Sequence, residues 1–384
     1  MQTIYLDNNA TTAMDPIVAR LLASCYQSGY MNAASQHSAG RRAQQVLDDA
    51  REDLGRSLGG SLDPAKTDRL VFTSGGTEAN NMAILGLSGS SGHVMLSRIE
   101  HPSVVEPARL LQSQGLEIDW IPVTSSGVID ISFVQDRVRD DTSLVTIMLG
   151  NHETGVIQPV QQVAEICCKK GVPVHCDAAQ AAGKIAINFQ DLGVTSLSVA
   201  AHKFHGPRGV GALLVRHGTT LTPLLVGGSQ QHGIRPGTEP VCLALGMATA
   251  LSRSLQRTGD REGSLRGTRD LFEQLLCEEV PSATVIGSGA MRLPQTSCVA
   301  FAPHDRQAIV MALDLAGIAC STGSACTSGS SEPSPVLLEM GLEQTLVGSA
   351  VRFSFSTTDG SPCATQAAQR ISSVINSLRH QNQA

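Results

Sequence analysis

One lysine lies where a side-chain amine could do covalent chemistry. In "SVAAHKFHGPRG" (198–209), Lys203 follows an apolar run and precedes a Gly-Pro loop. Its amine can therefore project from the carboxyl end of a strand, where open α/β sheets place their ligands. An amine partly removed from water has a lowered pKa, which favours the neutral form that makes Schiff bases. An exposed loop lysine is the alternative, and the neighbouring motifs must decide between the two.

A carboxylate is predicted at the same edge of the sheet. Asp177 ends the apolar run "VPVHCD" (172–177). A carboxylate in that place needs a cation, and a protonated pyridine nitrogen would serve as one. The alternative is that Asp177 only caps the helix that follows, which is a favoured role for aspartate. Taken alone, the segment leaves the two readings equal.

A third segment can bind an anion. In "FTSGGTEANNMAIL" (72–85), two glycines and Thr77 lie at the turn from a strand into a helix. The backbone N–H groups at such a helix start form a ready site for phosphate. Glycine-rich turns are common, so this segment is weak by itself. An anion cup, a carboxylate and an amine at strand ends are together what pyridoxal 5'-phosphate requires.

One thiol lies where no core can bury it. In "STGSACTSGSSEPS" (321–334), Cys326 is surrounded by small, polar and turn-forming residues. Such a segment predicts a loop and neither a strand nor an amphipathic helix. Because cysteine is otherwise among the most buried residue types, this position indicates chemistry rather than packing.

The elements that must position these residues follow an alternating pattern. Short continuous apolar runs separated by helical segments indicate an α/β fold with a mostly parallel sheet covered on both faces. The strand-like runs lie at 69–74, 93–98, 143–149, 172–177, 196–201 and 209–216.

A change of rhythm predicts a second, smaller domain. The polar stretch "RTGDREGSLRGTRD" (257–270) lies inside or beside a long helix, and fewer strands follow it. A chain of 384 residues with 41% hydrophobic residues can fill two cores. We therefore expect a large domain over residues 14–258 and a smaller α+β domain made of residues 1–13 and 259–384.

Composition and charge exclude several classes of function. The formal net charge is −6 and no basic block is present, so nucleic acid is not an expected partner. The start, "MQTIYLDNNATT", lacks the pattern of a secretory signal, and no apolar run is long enough to span a membrane. We expect a soluble, cytoplasmic protein without a membrane partner.

The ten cysteines predict neither a disulfide framework nor a metal site. None are spaced as Cys-x-x-Cys, and no paired Cys/His spacing indicates zinc, so no metal is expected. In a long chain without a signal, reduced and buried thiols are expected everywhere except at Cys320 and Cys326, which are considered separately.

Read together, these segments resemble the cysteine desulfurases, which are class V aminotransferase-like, fold-type I pyridoxal phosphate enzymes. The resemblance runs from "YLDNNATT" (5–12) to "VRFSFS" (351–356), nearly the whole chain. It implies a large domain with a mostly parallel seven-stranded sheet and a smaller α+β domain. The motifs between these ends are "TSGGTEANN" (73–81), "EHPSV" (100–104), "NHETGVIQP" (151–159), "DAAQAAGK" (177–184), "HKFHGPRG" (202–209), "GIRPGTEPV" (233–241) and "STGSACTSGSSEPS" (321–334).

The resemblance assigns roles around the cofactor. It implies that Lys203 forms the Schiff base with pyridoxal phosphate and that Asp177 pairs with the pyridinium nitrogen. His101 would stack on the ring and assist proton transfers, and Gln180 would hydrogen-bond to the phenolic oxygen. The phosphate would be held by Gly76, Thr77 and His202.

Further implied roles concern the substrate, the sulfur and a second subunit. Arg352 would clamp the substrate carboxylate through its bidentate guanidinium, and Asn32 would lie near the same carboxylate. Thr238 would reach the phosphate bound by the neighbouring subunit, which implies a homodimer with shared active sites. Cys326 would accept sulfur on a mobile loop of about residues 320–334.

The chain also departs from the family pattern. His152 replaces the second asparagine of the usual N-N-E-T-G motif, at a position that contacts the cofactor ring, so we expect altered cofactor electronics and retained binding. Ala200 replaces a serine that often donates to the phosphate, which should weaken cofactor retention modestly. Ala33 replaces the proline that usually follows Asn32. Cys320 takes a usually apolar position and is expected to be a buried strand residue.

The activity implied by the resemblance is conversion of L-cysteine to L-alanine. The sulfur would remain as a persulfide on Cys326 for an acceptor protein, such as an iron–sulfur scaffold. The long Gly/Ser loop fits group I, the nitrogenase-type and housekeeping-type enzymes. Selenocysteine lyase and cystine lyase share the cofactor geometry and are the nearest alternatives. A non-catalytic scaffold should have lost Lys203, Asp177 or Cys326, and all three are present.

Overall fold

The computed structural model describes residues 3–61, 63–323 and 332–381. Within these residues no helix combines the length and the apolar character needed to cross a lipid bilayer. The β-strands of the described chain are β1 Ile4–Tyr5, β2 Arg69–Thr73, β3 His93–Ser97, β4 Glu117–Ile121, β5 Thr142–Met148, β6 Val174–Asp177, β7 Ser196–Ala200, β8 Gly211–Val215, β9 Thr284–Ile286, β10 Thr296–Ala300, β11 Ile318–Ala319 and β12 Ala350–Ser354. The α-helices of the described chain are α1 Pro16–Gln27, α2 Ser38–Ser57, α3 Gly76–Leu87, α4 Pro102–Ser113, α5 Ile131–Arg137, α6 Val160–Cys168, α7 Phe189–Leu192, α8 Val241–Glu279, α9 Arg306–Leu315, α10 Pro335–Glu339, α11 Gln344–Ser349 and α12 Ser361–Gln381.

Seven strands form the central sheet, in the order β2-β8-β7-β6-β5-β3-β4. Neighbours among β3 to β7 are parallel, whereas β8 is antiparallel to both β2 and β7. Strands β3, β6, β7 and β8 are buried along their whole length, because helices cover both faces of the sheet. The predicted α/β fold with a mostly parallel seven-stranded sheet is confirmed.

The carboxyl ends of two neighbouring strands, β6 and β7, lie at the same edge of the sheet. Strands β6 and β7 run parallel with Asp177 opposite Ser198, so the chain leaves both strands at the same edge. Directly after β7, residues Ala201–Lys203 form a 3₁₀ turn. The order of the strands therefore brings Asp177 and Lys203 together.

The hydrophobic core divides between the central sheet and the C-terminal part of the chain. Leu251 of α8 belongs to the cluster around the sheet. Phe272, further along the same helix, belongs to a second cluster, where its ring lies 5.3 Å from that of Phe353 and 5.2 Å from that of Phe355. Helix α8 runs unbroken through residue 258, and the domain boundary placed there stays a prediction.

The N-terminal segment connects the C-terminal part to the central sheet. Strand β1 pairs in parallel with β11, and the antiparallel sheet β12-β10-β9 lies beside it. The chain then crosses to the edge of the central sheet, where the backbone N–H of Thr12 donates to the carbonyl oxygen of His202 (3.0 Å). The first residues of the chain thereby reach the strand ends that carry Lys203.

The nine cysteines that are described are free thiols, but not all are buried. The burial prediction is wrong for Cys168, which is exposed at the end of α6 because adjacent helix residues point to different sides and Cys167 takes the core side. It is also wrong in degree for Cys277 and Cys363, which are half-buried. Cys320 is half-buried as well and follows β11 instead of lying within it. The buried thiols are Cys25, Cys167, Cys176, Cys242 and Cys298.

Candidate active site

A cavity of about 260 Å³ lies at the carboxyl ends of β6 and β7. This is the edge at which α/β sheets bind ligands. Its walls come from the start of α3, the residues before α4, the segment after β5, and the ends of β6 and β7. The residues predicted from sequence that line it are Gly76, Thr77, His101, His152, Asp177, Gln180, His202 and Lys203.

Lys203 ends the 3₁₀ turn after β7 and points its amine into the cavity. Its Nζ donates hydrogen bonds to the carbonyl oxygens of Asn9 and Ala10, the second at 3.1 Å. The amide of Gln180 also donates to the carbonyl oxygen of Asn9 (3.1 Å). Sequence reasoning missed Asn9 and Ala10, because backbone acceptors about 190 residues away leave no local signal.

Asp177 is the last residue of β6 and is 7% exposed. Its Oδ1 accepts a hydrogen bond from the backbone N–H of Ala179 (2.9 Å), and its Oδ2 accepts one from Nδ2 of Asn80 (2.9 Å). The chain after Asp177 makes turns and no helix, so the helix-capping alternative is not realised. Both partners are neutral, and the carboxylate therefore suits a cation in the cavity.

Sequence reasoning also missed a group of polar residues, of which Asn80 and Ser103 line the cavity and His175 and Ser198 support them. The amide N–H groups of Asn80 donate hydrogen bonds to Ser103 and Asp177. Its carbonyl oxygen accepts hydrogen bonds from His175 and Ser198. Two spacings could have indicated them. His175 precedes Asp177 by two residues and so shares its strand face, and Asn80 lies one helical turn after Gly76.

Two imidazole rings meet beside the cavity. The rings of His101 and His152 lie edge to face, with centroids 5.4 Å apart. Nδ1 of His101 accepts a hydrogen bond from the backbone N–H of Ser103 (3.1 Å) and thereby caps the start of α4. Burial lowers the pKa of His101, with Lys203 adding to the effect and Asp177 opposing it. Burial also lowers the pKa of His152 well below its usual range.

The start of α3 lies where the sequence predicts an anion cup. The helix begins at Gly76 without a side-chain cap, so its first N–H groups are available to a ligand. A Cβ added to Gly76 would lie 3.4 Å from Cβ of Ala200, which shows how closely the end of β7 approaches the cup. Burial, together with Lys203 and Arg208, lowers the pKa of His202 to about 4, and His202 is therefore neutral at this site.

Arg352 lies on β12 beside the cavity and is 3% exposed. Its Nη2 is 2.8 Å from Oδ1 of Asp7. Its Nη1 donates to the carbonyl oxygens of His152 (2.9 Å) and Gly323 (3.3 Å). Its Nε has no hydrogen-bond partner within the described chain. A buried guanidinium with one unused donor is suited to a further carboxylate.

A second cavity of about 540 Å³ adjoins the first, and His152 lines both. Burial raises the pKa of Glu153, which also lines this cavity. Oε2 of Glu153 accepts a hydrogen bond from Oγ of Ser334 (2.6 Å). Gly323 packs against the same carboxylate, since a Cβ there would lie 2.6 Å from Oε2. Glu153 thus contacts one residue on each side of the segment 324–331.

Besides Arg352, three predicted site residues do not line the cavity at the ends of β6 and β7. Asn32 is exposed between α1 and α2, where its Oδ1 accepts a hydrogen bond from the backbone N–H of Ala34 (2.9 Å). Thr238 is exposed in the loop before α8. Cys326 lies outside the described residues. The roles of these three residues stay predictions.

An α/β fold with an amine, a carboxylate and an anion cup at one sheet edge is typical of aminotransferase-like enzymes. The chain matches the aminotransferase class-V family over residues 4–359, and it therefore belongs to that family. Cysteine desulfurase IscS from Dictyoglomus turgidum is 38% identical over 354 residues, which cover 91% of this chain and 89% of that protein.

Solved structures support the same assignment. A NifS-like protein matches with a TM-score of 0.90 at 30% identity, covering 98% of this chain and 100% of the other. A structure of SspA in complex with cysteine matches with a TM-score of 0.79 at 30% identity, covering 92% of this chain and 99% of the other. The two matches span both the central sheet and the C-terminal part.

Proposed function

We propose that the protein is a pyridoxal phosphate-dependent cysteine desulfurase, which converts L-cysteine to L-alanine and transfers the sulfur to Cys326. One observation carries the proposal. Lys203 and Asp177 line one cavity at the start of α3, in a chain that is 38% identical to a cysteine desulfurase. The cofactor and the residue roles are part of this proposal.

The residues around the cavity fit pyridoxal phosphate. The uncapped start of α3 suits the phosphate. The Asp177 carboxylate suits a protonated ring nitrogen, because its hydrogen-bond partners in the described chain are neutral. When bound, the cofactor supplies an electron sink for bond breaking at the substrate. The phosphate would be held by Gly76, Thr77 and His202, the ring by His101, His152, Asp177 and Gln180, and the covalent bond by Lys203.

Lys203 would also move protons. Its amine is held inside the cavity by the carbonyl oxygens of Asn9 and Ala10, within the space that the substrate would enter. An amine in that place can take a proton from the substrate Cα and return it later. Because Nδ1 of His101 accepts from the backbone N–H of Ser103, a neutral His101 ring carries its proton on Nε2 and would act at this cavity as a hydrogen-bond donor.

Arg352 would bind the substrate carboxylate. A carboxylate that approached Nε and Nη2 together would form the bidentate pair that guanidinium groups favour. Asp7 already pairs with Nη2 at 2.8 Å, so the substrate would compete with an internal carboxylate. This competition would limit how much the carboxylate alone contributes to the binding of an amino acid.

The sulfur step is a transfer from carbon to sulfur. The Cys326 thiolate would attack the substrate sulfur, so the S–S bond forms as the C–S bond breaks. The electron pair of the C–S bond stays on the substrate carbon, which takes up the proton that the Cys326 thiol released. L-Cysteine and the thiol thereby become L-alanine and a persulfide, with atoms and electrons balanced.

The wider setting completes the proposal. We propose a homodimer in which Thr238 serves the neighbouring subunit, and an acceptor protein, such as an iron–sulfur scaffold, that takes the persulfide sulfur. The exposed position of Thr238 is compatible with a contact outside its own chain. Free thiols at the nine described cysteines suit the reducing cytoplasm, where we place the protein.

The experiment that tests this function uses Lys203→Ala. The wild-type protein, incubated with pyridoxal phosphate, should absorb visible light, and borohydride should fix the cofactor to the peptide that contains Lys203. Lys203→Ala should lose both the covalent attachment and alanine formation from L-cysteine, because the amine is absent. Lys169→Ala, at an exposed lysine, is the control. Borohydride labelling or full turnover in Lys203→Ala would contradict the proposal.

A further inference from the structure

Asn80 lines the cavity and is the centre of a buried hydrogen-bond network at its wall. It is 1% exposed, and both ends of its amide are used. Its Nδ2 donates to Oγ of Ser103 (2.8 Å) and to Oδ2 of Asp177 (2.9 Å). Its Oδ1 accepts from Oγ of Ser198 and from Nε2 of His175 (3.1 Å). Both N–H groups and the carbonyl oxygen therefore have partners.

The direction of each bond in this network is determined. A flipped amide would place Oδ1 of Asn80 against the Asp177 carboxylate, and two acceptors would then face each other. Burial lowers the pKa of His175 to about 4, so its ring is neutral. Since Nε2 of His175 must donate to Asn80, Nδ1 is left to accept from Oγ of Ser196 (2.9 Å). The amide thus offers a fixed N–H to Asp177.

The network joins the elements that form the site. Asn80 lies on α3, one turn after Gly76, so the helix that starts at the anion cup also holds the Asp177 carboxylate. Ser103 lies on α4 and extends the network to His101, because its Oγ lies 2.8 Å from Nδ1 of His101. Ser198 connects it to β7, which leads to Lys203. One amide therefore fixes the carboxylate relative to the cup and the imidazole.

We propose that Asn80 is a positioning residue for the proposed cofactor chemistry: it orients the Asp177 carboxylate and sets its distance from the anion cup at the start of α3. This inference rests on the proposed function. It goes further in giving a residue outside the predicted site a role that acts through Asp177. A residue that only stabilised the fold would affect unfolding and leave the spectrum of the bound cofactor unchanged.

Asn80→Asp is the test variant, because it keeps the shape of the side chain while it removes both N–H donors. Two carboxylates within hydrogen-bond distance would have to share a proton, so Asp177 would no longer offer a constant charge. In substrate-free protein loaded with pyridoxal phosphate, the pH midpoint of the visible absorbance should move by about one unit or more. The dissociation constant of the cofactor should rise about tenfold or more. Asn188→Asp makes the same change at the cap of α7 and should shift neither quantity.

The swapped pair Asn80→Asp with Asp177→Asn separates positioning from stability. It restores an amide–carboxylate hydrogen bond but places the carboxylate on α3. We expect it to recover the melting temperature lost in Asn80→Asp without recovering the wild-type pH midpoint. The inference is wrong if Asn80→Asp binds the cofactor with wild-type affinity and shows the wild-type pH midpoint. It is also wrong if the swapped pair restores both the melting temperature and the wild-type pH midpoint. A wild-type protein that binds no cofactor would instead refute the proposed function.

Discussion

At the scale of single residues, the cavity is lined by three neutral imidazole rings of the described chain. Burial lowers the pKa of His101 and His152, and burial with the charges of Lys203 and Arg208 lowers that of His202 to about 4. Neutral rings add no positive charge beside Lys203. The same burial has a cost in acid, because these rings take up protons more readily once the chain unfolds.

His152→Asn tests that cost. A histidine whose pKa is lowered on folding binds fewer protons in the folded state, so stability is lost as pH falls through the unfolded-state value of about 6.5. The melting temperature of the wild type should therefore fall between about pH 7 and about pH 5, and that of His152→Asn should fall less. Thermal unfolding at both pH values checks this. An equal or larger fall in the variant would show that His152 is not a source of the acid sensitivity.

Not every side chain at the site could be predicted from sequence. Lys203 and Asp177 were found because each ends an apolar run, and strand ends are where α/β sheets bind ligands. Asn9 holds Lys203 through a backbone oxygen, which no residue pattern reports. Asn80 appears in sequence as an ordinary helix residue, and only the packing of α3 against β6 gives it a carboxylate to bind.

At the scale of elements, strands were easier to predict than the segments that cover them. The runs at 69–74 and 196–201 appear as β2 and β7 within a residue of their predicted ends, because continuous apolar runs are typical of strands that are buried on both faces. The prediction that Cys320 lies within a strand was wrong, because β11 ends at Ala319 after only two residues. Such a short strand depends on pairing with β1, which is a long-range contact and leaves no periodicity in the sequence.

The close approach of β7 to α3 gives an element-scale prediction. Ala200 ends β7 and lines the cavity beside the anion cup. Ala200→Ser would add a hydroxyl donor next to the proposed phosphate site, and a hydrogen bond of this kind should tighten cofactor binding about 2- to 10-fold. Absorbance titration of cofactor-free protein measures the change. Ala308→Ser, at an exposed position of α9, should have no effect, and weaker binding by Ala200→Ser would contradict the proposed phosphate position.

At the scale of the whole molecule, the proposed dimer makes a complementation prediction. If Thr238 serves the neighbouring subunit, a Thr238→Ala chain and a Lys203→Ala chain should form a heterodimer with one intact site and one doubly damaged site. Mixing two impaired variants should then restore alanine formation above that of either parent. Subunit exchange is verified with differently tagged chains. No gain in confirmed heterodimers would refute shared sites.

Transfer of sulfur to Cys326 can be measured directly in one reaction. Cofactor-loaded protein is incubated with L-cysteine, and alanine is measured together with the mass of the peptide that contains Cys326. We expect alanine and a Cys326 peptide heavier by one sulfur atom in the wild type. We expect the same in Cys320→Ser, the matched control, which removes a half-buried thiol. Cys326→Ser should keep the cofactor spectrum but form almost no alanine, because the nucleophile is absent. Alanine formation by Cys326→Ser at the wild-type rate, or persulfide on another cysteine, would contradict the account.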